Sequence, residues 1–203
     1  MADQDLRNNE TQKVLKLIKK ALTTDRNCAR ASLLEGEIES RLGNYKSAIK
    51  AYRRVEGQDP DYIPEILAPL TRCYRQLDSV DEMIQYLREI LNRRGGISVM
   101  LCLAELLRER EGDAEAAEFI TAYLDRKPSL RGMDRLIDLA LLHIKDPARD
   151  KLEALKNVTS QLLVNNPVYK CDVCGFHGKT LHWHCPSCKH WNTIKPILGV
   201  EGE

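Results

Sequence analysis

Residues 29–62 decide the fold: ARASLLEGEIESRLGNYKSAIKAYRRVEGQDPDY. Gly36 and Ala48 are small residues on two successive helical stretches, placed where those helices touch. Gly43-Asn44 is the turn between them. Tyr45 and Tyr52 supply the bulk that fills the space beyond the close approach. Pro60 cannot continue a helix and helps to start the next one. The stretch therefore reads as a helix–turn–helix unit.

The pattern recurs in phase. Residues 64–97 carry Tyr74, Asp78, Met83, Leu87 and Ile90 in corresponding slots, and residues 98–131 carry Gly112, Ala114, Ala117, Leu124 and Pro128, at spacings of 35 and 34 residues. The period and residue types resemble the tetratricopeptide repeat, a unit of about 34 residues. Upstream, TQKVLKLIKKALTT (11–24) reads as the second helix of a preceding repeat, so the chain is expected to begin inside a repeat, as a piece of a longer protein. An irregular pair follows, near 132–145 and 148–164, with Pro147 at the first turn of its second helix. Asn165-Asn166-Pro167 stops that helix. The expected organisation is an all-α solenoid over 1–166 and a small metal-binding knuckle over 167–203, packed on the last helices. Solenoids of this type hold partner segments along a concave face; by the repeat geometry that face would include Arg30, Glu37, Arg72 and Arg75.

The composition agrees with helices. Hydrophobic residues are 43%, charged residues 30% and aromatic residues only 5%, which disfavours a sandwich or barrel. Lys plus Arg is 31 against 30 Asp plus Glu, so there is no basic excess of the kind a nucleic-acid surface needs. No apolar run is long enough to span a bilayer, and MADQDLRNNE lacks the apolar core of a signal peptide. The visible chain reads as soluble. Of the seven cysteines, Cys28, Cys73 and Cys102 are scattered through helical sequence as small apolar residues, which fits a reducing compartment.

The other four form the sharpest motif. Cys171-x-x-Cys174 and Cys185-x-x-Cys188 are separated by ten residues, a spacing that supplies four thiolates to one tetrahedral ion. Gly175 suits a left-handed turn after the second ligand, and Pro186 stiffens the other turn. The motifs C-x-x-C-G and W-x-C-P-x-C resemble rubredoxin, with a much shorter stretch between the pairs and Lys189 where that family has glycine. Iron and zinc suit such a site equally. His177, His182, His184 and His190 crowd the segment, but four thiolates already close it, and catalytic zinc keeps a position open. Phe176, Trp183 and Trp191 are expected to cover the site and dock it on the helices.

The combination of repeats with Tyr169-Lys170-Cys171, Cys174-Gly175-Phe176, Thr180-Leu181, Trp183 to Cys188 and Thr193 to Ile197 resembles the lipopolysaccharide assembly protein B family of Gram-negative bacteria, over essentially the whole chain. The resemblance implies a non-enzymatic adaptor at the cytoplasmic face of the inner membrane, held there by an N-terminal anchor that this chain does not include. Its implied partners are the deacetylase LpxC, whose degradation by the membrane protease FtsH it promotes, and a membrane regulator. A homodimer is left open. Two other classes remain: electron transfer by a rubredoxin-like iron, and a zinc-ribbon nucleic-acid binder. The residues show no nucleophile–base pair and no phosphate-binding glycine loop.

Overall fold

The computed structural model describes residues 2–145, 148–200 and 202. Its helices are α1 (Ala2–Thr24), α2 (Ala29–Arg41), α3 (Tyr45–Gln58), α4 (Ile63–Gln76), α5 (Val80–Arg93), α6 (Ile97–Glu111), α7 (Asp113–Leu124), α8 (Leu130–His143) and α9 (Ala148–Asn165). Three short strands follow: β1 (Tyr169–Cys171), β2 (His177–Gly178) and β3 (Ile194–Pro196). The expected repeats appear as α2–α3, α4–α5 and α6–α7, and the irregular pair as α8–α9. The repeats are all-α; the knuckle adds a small sheet. The helix read at 11–24 starts at Ala2, because no glycine or proline interrupts 2–24. Pro147 lies outside the described residues.

Contacts divide the chain into two compact units, one up to Met83 and one from Ile84 onward. The boundary expected at 166/167 falls inside the second unit. In the first unit α1 packs on α2, α2 on α3 and α3 on α4. Gly36 is the point of closest approach, and its neighbour is the Tyr52 ring: a Cβ there would lie 2.5 Å from the ring edge. Ala48, Ala51, Tyr52 and Val55 bury the inner face of α3. Gly43 makes the turn with φ +79°, the left-handed conformation that glycine adopts without strain. Arg54 reaches back from α3 to Glu35 on α2 at 2.9 Å. Pro60 opens a short 3₁₀ turn (Pro60–Tyr62), with the Asp59 carboxylate accepting from the Asp61 N–H at 3.3 Å. Helix α4 runs through Pro69, despite the lost ladder bond, with Ile66, Leu67 and Leu70 buried around it.

In the second unit Ile97, Met100, Ala104, Ala116, Ile120 and Leu139 form one core shared by α6, α7 and α8. Gly112 separates α6 from α7 at φ +106°. Ser129 caps α8, its Oγ accepting from the Gly132 N–H at 3.4 Å. Helices α8 and α9 are pinned by Asp134, whose carboxylate accepts from Lys156 Nζ at 2.7 Å, Thr159 Oγ1 at 2.8 Å and Ser160 Oγ at 3.2 Å. Burial pushes the Asp134 carboxyl up, but the hydrogen bonds and charge of these partners outweigh it and hold the group below its ordinary value. The strands pair antiparallel in the order β2-β1-β3. The knuckle is tied to helical residues: Lys179 Nζ donates to the Val164 carbonyl at 2.5 Å, and the Leu130 N–H donates to the Val200 carbonyl at 2.9 Å.

Two outcomes follow from this packing. Gly36→Ala gains up to about 1 kcal/mol of helix propensity but forces the buried Tyr52 ring aside, at about 1–3 kcal/mol; a net loss of about 1 kcal/mol is expected in urea unfolding. Because Asp134 is depressed in the folded state, its stabilisation is full above the ordinary carboxylate value near ~3.9 and is lost as pH falls through the lower folded value. Asp134→Asn should be less stable at pH 7, with a shallower loss of urea midpoint between pH 5 and 3 than wild type. The slope does not vanish, since Glu105 and Asp113 are depressed in the same direction.

Candidate metal centre

The site is two turns of the same construction. In the first, Cys171 ends β1, its N–H donates to the Phe176 carbonyl at 2.7 Å, and the Gly175 N–H returns to the Cys171 carbonyl at 2.9 Å. In the second, the Cys185 N–H donates to the His190 carbonyl at 2.9 Å, and the Lys189 N–H returns to the Cys185 carbonyl at 3.1 Å. Each turn needs a left-handed residue after its second cysteine. Gly175 supplies it at φ +74° and Lys189 at φ +61°. The lysine keeps its Nζ close by, donating to the Pro186 carbonyl at 2.7 Å.

Together the turns bring four sulfurs within 4.8 Å of one another. Cys171 and Cys188 Sγ stand 3.8 Å apart, and Cys174 and Cys185 Sγ 3.7 Å. Four sulfurs at the ~2.3 Å bonding distance of a tetrahedral zinc site stand about 3.8 Å from one another. The donor set therefore fits one ion of the zinc or iron kind. Cys171 and Cys185 are fully buried, Cys188 is half-buried and Cys174 is exposed.

The surroundings favour thiolate at one end of the set. Thr193 Oγ1 lies 3.3 Å from Cys171 Sγ; this hydroxyl, with backbone N–H groups of the first turn, brings the Cys171 thiol down to about 6. The backbone N–H of Phe176 lowers Cys174. At Cys188 the N–H of His190 also favours thiolate, but burial and the three neighbouring thiols push it up to about 12. A cation among the sulfurs removes that conflict, since thiolates are what it binds.

The histidines stand around the set. His190 Nδ1 is 3.1 Å from the Cys188 carbonyl, His182 Nε2 is 3.1 Å from Thr180 Oγ1, and His184 stacks on Trp191 with ring centroids 4.6 Å apart. Phe176 packs against the buried sulfurs and Ile194, as expected. Trp191 does not cover the site. It is 57% exposed, because the bridge pairing of His184 with Trp191 directs both rings to the outer face of the second turn. Thr193 was not legible as a site residue; only the pairing of Cys171 with Ile194 brings it next to Cys171.

The four residues expected on the repeat face lie on α2 and α4. Arg30 and Glu37 share one stripe of α2, and Arg72 and Arg75 one stripe of α4; Glu37, Arg72 and Arg75 are exposed and Arg30 is half-buried. Glu37 pairs with Arg41. Burial first, then the nearby Cys73 and Glu37, push the buried Tyr52 hydroxyl up to about 12 against the pull of Arg72 and Arg41. Of the scattered cysteines, Cys73 is buried, whereas Cys28 and Cys102 are half-buried.

Fold and site together define a class, tetratricopeptide-like helical repeats that carry a four-cysteine knuckle. Residues 169–196 match the family described as rubredoxin metal binding domain, of the zinc-ribbon type. Over all 203 residues the chain is 34% identical to lipopolysaccharide assembly protein B of Escherichia coli K12, and over 186 residues it is 32% identical to the protein of that name from Haemophilus influenzae. It is thus homologous along its whole length to proteins so named, and it spans about half the length of these relatives, 52% and 47%. No helix among the described residues is long and apolar enough to cross a membrane.

The Lys189 conformation gives a measurable consequence. A non-glycine residue in the left-handed region costs about 1–2 kcal/mol, so Lys189→Gly should stabilise the metal-loaded knuckle by about 1 kcal/mol and slow metal loss to a chromophoric chelator. A faster loss would mean that the Lys189–Pro186 bond outweighs the backbone strain.

Proposed function

We propose that the chain is a non-enzymatic adaptor in lipopolysaccharide assembly, with Cys171, Cys174, Cys185 and Cys188 as ligands of one structural metal ion and the repeats as the partner-binding surface. The observation that carries this reading is the closed set of four sulfurs. A fourth thiolate occupies the position that catalytic zinc leaves to water, so the knuckle's product is shape. The names of the homologues support the biological setting. In this reading 167–203 is a clip module at the end of the repeats.

The finer reading is that α2 and α4, through Arg30, Glu37, Arg72 and Arg75, engage protein partners. By the resemblance these are the deacetylase LpxC, the membrane protease FtsH and a membrane regulator, and the working position is the cytoplasmic face of the inner membrane. Nucleic acid is no partner. Cys174 supports a second reading, since an exposed sulfur ligand is what outer-sphere electron transfer to an iron would use. Stoichiometric zinc in protein purified from its native host would remove that reading; an iron–thiolate spectrum that bleaches reversibly with dithionite would establish it.

The adaptor reading is tested by capture of purified LpxC. Cys171→Ser should lose the metal and the capture while circular dichroism still reports helical repeats. Arg72→Glu with Arg75→Glu should keep the metal and weaken capture at least tenfold. Undiminished capture by the metal-free variant would rule out the structural role of the ion, and undiminished capture by the double variant would rule out this face.

A further inference from the structure

The second unit carries an open groove of about 420 Å³ between the start of α7 and the end of α8. That volume lies in the roughly 300–1,000 Å³ range of ligand-binding clefts. Its walls are apolar: Ala114 and Ala117 on α7, Leu136, Leu139 and Ala140 on α8. The alanines leave room for larger side chains to enter. Ala114 and Ala117, and Leu136 and Ala140, have the i, i+3 and i, i+4 spacings of neighbours on one helix face.

Its rim is acidic, and the acids differ in how far they are already neutralised. Asp113, at the mouth, is held by His143 Nε2 at 2.9 Å and Arg108 Nη1 at 3.4 Å. Those partners, His143 first, keep its carboxyl below the ordinary value. Glu111 lines the same mouth, is exposed, and makes no ion pair among the described residues. Glu118 borders the stripe, next to Ala117 and one turn from Ala114, and is likewise exposed and unpaired among the described residues. Arg108 and Arg135 are both engaged by Glu105. The groove thus offers apolar contact flanked by uncompensated negative charge.

We propose that this groove docks a basic amphipathic helix of a protein partner, inserting one or two large apolar side chains between Ala117 and Leu136 and setting Lys or Arg against Glu111 and Glu118. This is the helix-in-groove mode of recognition, with charge selecting the partner. The groove belongs to the second unit, whereas the arginine-bearing helices α2 and α4 belong to the first.

The probe is a labelled peptide of this chemistry, TQKVLKLIKKALTT, the sequence of residues 11–24, titrated with the full metal-loaded chain by fluorescence anisotropy. Saturable binding is expected, weakened at least tenfold by Ala114→Trp, which blocks the mouth from an exposed position, and also by Glu111→Lys with Glu118→Lys. A peptide with its four lysines changed to glutamate should not bind. Equal affinity for both peptides, or for wild type and all variants, would overturn the proposal. So would self-association of the chain that the same variants abolish, which would give the groove to a second copy. Lys46→Glu, an exposed change on α3 outside both surfaces, should leave peptide binding unchanged; a matching loss there would also overturn it.

Discussion

Four thiols gathered within 4.8 Å cannot all ionise without a cation between them. The C-terminal segment is organised around that electrostatic constraint. Its apolar core is slight: Ile194 is fully buried beside the two inner cysteines, with Tyr169, Phe176 and Leu181 partly covered. One buried isoleucine contributes about 2–3 kcal/mol, whereas a structural ion bound by knuckles of this kind contributes about 10–16 kcal/mol. The sulfur spacings of 3.7 and 3.8 Å match those around one tetrahedral ion, and a cation there relieves the opposed shifts of Cys171 and Cys188. The backbone serves the same end, with two turns that repeat each other's hydrogen bonds and place a left-handed residue at equivalent points.

The helices before the knuckle give that segment its anchorage. Asp134 gathers Lys156, Thr159 and Ser160, so α9 is fixed against α8 by charge-assisted bonds where it has little apolar contact to offer. Leu155, Val158 and Leu162 of α9 remain exposed. The carbonyl of Val164, at the end of α9, then receives Lys179, and the N–H of Leu130, at the start of α8, reaches Val200. A segment that leaves many of its large apolar side chains exposed thus relies on directional polar contacts, which specify geometry better than they add stability.

How much was legible in the sequence depended on how local the signal was. The C-x-x-C pairs, Gly175, Gly43 and the repeat spacing are local, each tied to one turn or one helix contact, and the structure has them in the expected places. Phe176 also packs where expected. Trp191 did not, because its direction follows from pairing with His184 across the second turn, and strand pairing is not a local property. Gly36 illustrates a middle case. Its role as a close-approach residue was readable, but that the Tyr52 ring is what lies nearest to it was not, since side-chain direction on α3 is set by packing. Thr193 beside Cys171, and Asp134 at the centre of α8–α9, had no sequence signal, because each acquires its meaning only from residues brought near by folding.

The face of α2 and α4 and the groove between α7 and α8 differ in the physical basis of any selectivity. On α2 and α4, Glu37 is paired with Arg41, and charges of both signs act on the Tyr52 hydroxyl. A partner there must match a pattern: placing a charge one residue out of register meets the wrong sign, so discrimination comes from position and not from net charge. The groove between α7 and α8 has the opposite character. Asp113 is held by Arg108 and by a hydrogen bond with His143, while Glu111 and Glu118 are exposed and unpaired among the described residues. Free surface charges act over about 8 Å at physiological salt, far enough to attract a basic segment but too diffusely to fix its register. There the apolar walls must set position, because alanines admit a side chain only where the helix of the partner presents one at the matching spacing.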